Sequence, residues 1–268
     1  RFFDTIPIRN DILVAVLFQN DSFRPEYVKY FESRHFIFHK VQYRMPLSQA
    51  RNLLLDMVSN DKQLQLDSSD MVLLLADDDC WYSEAFFDCA NFNSRNISLF
   101  AARDPISNRQ FSTFDIKYKR VGEILRRWEF MFYGVSIAIA IPYFAVRNHR
   151  FHPHLGLGNE ISQGEESHFL FDVLKANLGL QVEARPDLVV YHPHKLATSS
   201  KNYRSLGYFL GWSFRKRNFS VIFFYLYLVS KYTVASVIKP KLLYWSILSS
   251  LLAGFVNGVT DKEKLERK

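Results

Sequence analysis

Three short stretches carry the side chains that could do chemistry. In "VLLLADDDCWY" (72–82) an apolar run delivers Asp77, Asp78 and Asp79 to one spot. Like charges held together repel, so they need a counter-charge or water. Hard divalent cations take carboxylate oxygens, and Mg²⁺ uses one or two protein carboxylates plus substrate phosphates. An acidic turn facing water accounts for the same three residues. In "GEESHFL" (164–170) Glu165 and Glu166 open a helical pattern, where the macrodipole and capping favour acidic side chains. One of them turned into a site would act as general base. In "VVYHPH" (189–194) a short apolar run ends on His192. Imidazole is a common metal ligand, and a histidine at a strand end is also an ordinary half-exposed side chain.

These residues need elements to place them. "DILVAVLFQN" (11–20) is an apolar run of the kind buried on both faces of a sheet, "FIFHKVQY" (36–43) alternates, and residues 70–79 form a third buried strand. Between them, residues 24–34 have helical spacing. "PLSQARNLLLDMVSN" (46–60) reads as a helix with Pro46 in its first turn. Residues 83–92 are a helix, 98–103 a strand, 104–120 a polar, basic loop, 134–148 an apolar β-branched run, 165–177 a helix and 181–194 a strand. The alternation predicts an α/β domain with a largely parallel sheet. Ligands of such sheets bind beyond the carboxyl ends of the strands, which is where Asp77–Asp79 fall.

With 268 residues, 48% of them hydrophobic and 16% aromatic, the chain can bury a sizeable core and is not disordered. Cys80 and Cys89 are too few for a disulfide scaffold and form no CxxC metal motif, so both read as reduced thiols. Residues 1–194 net −3 and residues 195–268 net +10. The basic excess therefore belongs to the tail, which weakens a nucleic-acid reading and points to an anionic membrane surface. Arg215–Arg217 beside Trp212 and Phe214 suit a helix in the headgroup region. Residues 242–260 carry no charge and are long enough to span a bilayer. Their serines and Asn257 favour an interfacial or packed helix instead, with a single span as the alternative. The domain boundary is placed near residue 195.

In their order along the chain, four segments resemble family 2 glycosyltransferases with the GT-A nucleotide-sugar fold: "PLSQARN", "LLLADDDCWY", "GLGNEISQGEESHFL" and "VVYHPH". The resemblance covers roughly residues 11–194, and the tail looks like the helical ends of bacterial surface-polysaccharide enzymes. It implies a Rossmann-like, mixed and mostly parallel sheet with flanking helices over 1–194 and a helical, membrane-associating region over 195–268. It also implies a divalent cation, Mn²⁺ or Mg²⁺, held by Asp79 and Asp77 with His192 as a further contact. Asp77, Asp78, Arg51 and Asn52 would border the donor, expected to be a UDP-sugar. Glu166 would be the base, with Glu165 supporting it or binding acceptor, in a one-step displacement that inverts the anomeric carbon. The implied acceptor is a lipid-linked saccharide in polysaccharide, O-antigen or capsule synthesis, at the cytoplasmic face of a bacterial inner membrane. Two departures stand out: Glu166 occupies a place where aspartate is commoner, and the family's opening strand is missing, so the chain is expected to lack an N-terminal piece. The alternatives are a nucleotidyltransferase, which would bring a glycine-rich basic phosphate loop, and an inactive membrane-bound scaffold, which would need none of the acidic or histidine elements.

Overall fold

The computed structural model describes residues 6, 12–19, 35–60, 70–77, 79–83, 85–92, 95–112, 114–126, 128–133, 135–193, 200–216, 219, 221–238 and 241–260. The helix expected over 24–34 lies outside them, as do Asp78, Arg127, His194 and Arg217. The chain divides into two compact units. One comprises Arg1–Met45, Gln49–Arg150 and Phe169–His194, the other Pro46–Ser48, Phe151–His168 and Lys195–Lys268.

The first unit is built on strands. β1 (Leu13–Gln19) and β2 (His35–Val41) pair in parallel as a sheet of their own. The main sheet holds β3 (Val72–Leu74), β4 (Trp81–Tyr82), β5 (Asn96–Arg103), β6 (Glu123–Leu125), β7 (Ile139–Pro142) and β8 (Gln181–Tyr191). Its order is β3-β7-β5-β8-β4, with β6 also on β8. Of these pairings only β5–β8 is parallel. The sheet is therefore mixed, as expected, but its pairings are mostly antiparallel instead of mostly parallel. The connection after β5 returns as β6 and β7, which run antiparallel to the strands they join, and β7 slots between β3 and β5.

β5 and β7 are buried almost throughout, as their apolar runs require for strands covered on both faces. Among the described residues of the apolar run 134–148 only Ile139–Pro142 are strand; the short helix α3 (Phe130–Tyr133) precedes the run and Tyr143–Val146 turns into the short helix α4. The core is aromatic around Phe86, on the short helix α2 (Phe86–Cys89), whose ring meets those of Tyr82, Phe87 and Phe100 at 4.6–5.2 Å. Truncating so buried a ring to alanine costs about 3–5 kcal/mol. Helix α1 (Leu47–Asn60) buries Ala50, Arg51, Leu55 and Val58, one face at helical spacing.

The second unit is mainly helical. α6 (Ser200–Arg215), α7 (Val221–Ile238) and α8 (Leu242–Thr260) pack together. Gly207 and Gly211 of α6 face Gly254 and Gly258 of α8, and a methyl group on any of the four would fall inside contact distance of backbone on the facing helix. The two helices run parallel, since Arg204 meets Gly254 and Tyr208 meets Gly258. Tyr225 of α7 stacks on Phe255 of α8 at 3.9 Å, each thirteen residues from its helix's adjoining end (Ile238 and Leu242), so α7 and α8 run antiparallel. By length and composition α7 and α8 could each cross a membrane, with mean hydropathies of 1.7 and 1.5.

Candidate metal centre

Asp77 and Asp79 sit in a tight turn. After β3 the backbone continues to Asp77, whose carbonyl accepts a hydrogen bond from Cys80 N–H at 3.2 Å. Asp77 and Asp79 are the first and third residues of that turn. Its far end is anchored by Cys80, whose side chain is fully buried and whose thiol burial pushes up to about 12. β4 follows at once and is locked antiparallel to the end of β8, Trp81 opposite Tyr191.

β8 delivers the histidine by a less direct route. Its pairing with β5 jumps from Phe100–Arg185 to Ala101–Val189, so Pro186, Asp187 and Leu188 bulge out of the ladder. Proline has no N–H to lose there, and bulges redirect the strand that follows. Arg185 holds the bulge: its guanidinium donates to both Asp187 carboxylate oxygens and to the Cys89 and Asn91 carbonyls at 2.7–3.2 Å. Burial works against the Asp187 charge, but the Arg185 hydrogen bonds outweigh it and keep the carboxyl below its usual range. Beyond the bulge His192 N–H donates to the Arg103 carbonyl at 3.0 Å, which fixes the imidazole at the β5 terminus.

Asp77, Asp79 and His192 consequently each offer one ligand atom, and these atoms all lie within 4.8 Å of one another. His192 Nε2 is 2.7 Å from Asp79 Oδ1 and 4.0 Å from Asp77 Oδ2. From α1, Arg51 brings Nη2 to 3.7 Å from Asp77 Oδ1, so one guanidinium partly offsets two carboxylates. His192 Nδ1 is buried without a hydrogen-bond partner, and the Phe111 ring meets the imidazole edge-on at 5.2 Å. Nε2, facing both carboxylates, is thus the nitrogen open to ligation. Two carboxylate oxygens and one imidazole nitrogen, all half-buried, suit a hard or borderline cation such as Mg²⁺ or Mn²⁺ with positions left for water or phosphate oxygens. The donor set fits the ion.

Among the residues singled out in the sequence, Asp77, Asp79, His192 and Arg51 come together in the first unit, with Asn52 half-buried beside Arg51. Glu165 and Glu166 belong to the second unit and begin helix α5 (Glu165–Ala176). Glu165 is buried and packs on the Gly156 backbone, where a Cβ would stand 2.7 Å from its Cδ; Glu166 is half-buried. Gly164 just before them has φ +96°, a conformation side-chain-bearing residues rarely adopt. Two residues at the centre were missed in the sequence: Arg103, whose carbonyl holds His192, and Phe111, which covers it. The polar "RDP" ending the apolar run at 98–103 marked a neighbouring strand terminus, but nothing in the sequence linked it to His192.

No family model and no curated protein matches the chain. Among solved structures it is similar to GalNAc-T7 with UDP, GalNAc and Mn²⁺, with a TM-score of 0.42 and 12% identity over 75% of this chain. The chain spans 44% of that protein's length. It is also similar to the mannosyltransferase PcManGT from Pyrobaculum calidifontis in complex with GDP-Man and Mn²⁺. There the TM-score is 0.49 and the identity 11%, over 93% of this chain and 79% of the other.

Proposed function

We propose that this chain is a glycosyltransferase that moves a sugar from a nucleotide sugar to an acceptor hydroxyl, using a divalent cation. The observation that carries the reading is the convergence of Asp77, Asp79 and His192 at neighbouring strand ends, with Arg51 beside them. Such a cluster is costly for a folded chain to assemble unless a cation offsets it.

Asp77, Asp79 and His192 would hold the cation, whose contribution is to neutralise charge on the departing diphosphate. Arg51 and Asn52, with Asp77 and Asp78, would border the donor. The acceptor oxygen attacks the anomeric carbon, the bond from that carbon to the diphosphate oxygen breaks, and its electron pair leaves with the diphosphate. Glu166 takes the acceptor's proton, with Glu165 holding it in place. A single displacement of this kind inverts the anomeric configuration. UDP is the expected nucleotide, and residues 1–194 are the catalytic domain of a family 2, GT-A-type enzyme of bacterial surface-polysaccharide synthesis.

The tail, 195–268, is read as the membrane-associating part. α7 is strongly apolar apart from exposed Lys231, and while Val221, Phe224, Leu228 and Tyr232 are buried, Phe223, Leu226, Val234, Val237 and Ile238 face out. α8 adds exposed Leu242, Leu243, Trp245 and Val256. Apolar surface of that extent, on a segment netting +10, suits the cytoplasmic leaflet of an inner membrane, where a lipid-linked saccharide acceptor resides.

The test is nucleotide release from UDP-, GDP- and dTDP-sugars, with bacterial lipid extract as acceptor. Wild type, Asp79→Ala and Glu166→Gln are compared in Mn²⁺, Mg²⁺ and EDTA. Release with one donor, abolished by EDTA and by each variant, is expected. Release that survives EDTA and both variants would overturn the assignment, as would silence towards every donor.

A further inference from the structure

The loop after β5 borders an open cleft of about 400 Å³ lined by Gln110, Phe114, Asp115, Tyr118 and Tyr133. Its walls are set by the strand terminus that also fixes His192. Arg103 accepts the His192 N–H through its carbonyl, while its guanidinium reaches the other way to donate to both oxygens of Asp115 at 2.8 and 2.9 Å. Phe111 N–H donates to the Ala102 carbonyl, so residues 110–111 fold back along β5, and the Phe111 ring reaches His192.

The lining is rigid. Asp115 accepts from Lys117 N–H and caps the short 3₁₀ turn Ile116–Tyr118. Phe114 N–H donates to the Phe132 carbonyl at 2.9 Å, and the two rings stack at 4.9 Å and 13°. Asp104 braces the loop's start by accepting from Ile106 N–H and from both the N–H and hydroxyl of Ser107. Tyr118, at the mouth, is 81% exposed, an aromatic face presented to solvent.

The chemistry of the walls selects the ligand. Three aromatic rings line it, with Lys117 Nζ 4.9 Å over Tyr118 and Lys119 Nζ 5.4 Å over Tyr133, and a carboxylate and an amide add hydrogen-bonding groups. Arg103 and Lys117 pair with Asp115, and Lys119 with Glu123 at 2.8 Å. An anion would meet the Asp115 carboxylate, whose like charge disfavours phosphate. A neutral ring with C–H groups on one face and hydroxyls around its edge satisfies every wall, and the volume holds one or two such rings. We infer that this cleft binds a pyranose, as the acceptor subsite of the transfer proposed above, on which that last role rests.

The test is saturation-transfer NMR on the full chain in detergent, with methyl glycosides of glucose, galactose, mannose and N-acetylglucosamine. Sorbitol serves as an acyclic control. At least one pyranoside should receive saturation and sorbitol none. Tyr118→Ala should weaken that pyranoside about 2- to 10-fold, Gln110→Ala should weaken it further in the double variant, and the melting temperature should stay put because Tyr118 is exposed. EDTA should leave binding intact. UMP should not displace the pyranoside; displacement by UDP-glucose or GDP-mannose, but not by UMP, would identify the transferred sugar instead of the acceptor as occupant. Absence of saturation for all four glycosides, saturation that ignores Tyr118→Ala, or displacement by UMP would overturn the inference. Glycoside binding in a protein that turns over no donor would sink the transferase reading and leave the saccharide site standing. Donor turnover without glycoside binding here would do the reverse.

Discussion

Asp79→Asn separates a cation site from an acidic turn by the sign of its effect. The amide keeps the shape of the side chain and an oxygen that can still accept from His192 Nε2, 2.7 Å away, while the charge disappears. Asp77 and Asp79 place ligand oxygens within 4.8 Å of each other. At an effective dielectric of ~20 their repulsion is about 3.5 kcal/mol. Both side chains are about one-third exposed and Arg51 stands 3.7 Å from Asp77, so the net penalty is reduced to about 1–2 kcal/mol. In EDTA, removing one charge should therefore leave stability unchanged or raise it. With Mn²⁺ at a hundredfold over its dissociation constant, binding stabilises the wild type by about 2.7 kcal/mol. For a chain of this size that is a rise of about 5–10 °C in melting temperature. The variant should lose most of that rise. Differential scanning fluorimetry of both proteins in EDTA and in Mn²⁺ gives all four values. Equal Mn²⁺ shifts in both proteins, or a fall of the variant in EDTA as large as in Mn²⁺, would refute the reasoning.

Thiol labelling at pH 8 should modify one cysteine in the native protein and two in urea, because Cys80 is buried with its thiol pushed up to about 12 whereas Cys89 is exposed; rapid native labelling of both would count against the turn geometry. Gly211→Ala should destabilise by up to about 2 kcal/mol in chemical denaturation: the new methyl meets the Phe255 carbonyl and overpacks the α6–α8 contact by about 1–3 kcal/mol, set against about 1 kcal/mol of gained helix propensity. A stabilised variant would mean that the two helices do not approach so closely. Burial raises the Asp115 carboxyl, but hydrogen bonds from Lys117 N–H and Arg103 outweigh it and hold the group below its ordinary range. Its contribution is then fully present above the unfolded value of about 3.9 and fades as pH falls below it. Asp115→Asn should cost about 1.5–3 kcal/mol at pH 7 in urea titrations and progressively less as the pH falls below about 3.9 towards the lower folded value; a cost that grows on acidification would contradict the assigned contacts.

Much of the candidate site could be read from residue order. An apolar run into Asp77–Asp79, a glycine before Glu165 at a helix start and a histidine closing another apolar run are local patterns, and local sterics and burial produce them wherever the chain goes. Strand direction was not readable. A strand buried on both faces has the same apolar composition whether its neighbours run parallel or antiparallel, so β7 and β6 reversed the expected sheet without any sequence sign. The same limit applies to His192. Its meeting with Asp79 depends on the parallel β5–β8 register and on the Pro186–Leu188 bulge pinned by Arg185, contacts between residues about ninety positions apart. Glycines four apart at 207/211 and 254/258 are visible in the sequence, yet only packing shows that each pair closes on the other. The chain by itself determined which residue types arrive at strand ends and helix starts, because those depend on nearest neighbours. Tertiary structure alone decided which ends meet, because that is fixed by register, bulges and the shared burial of distant strands.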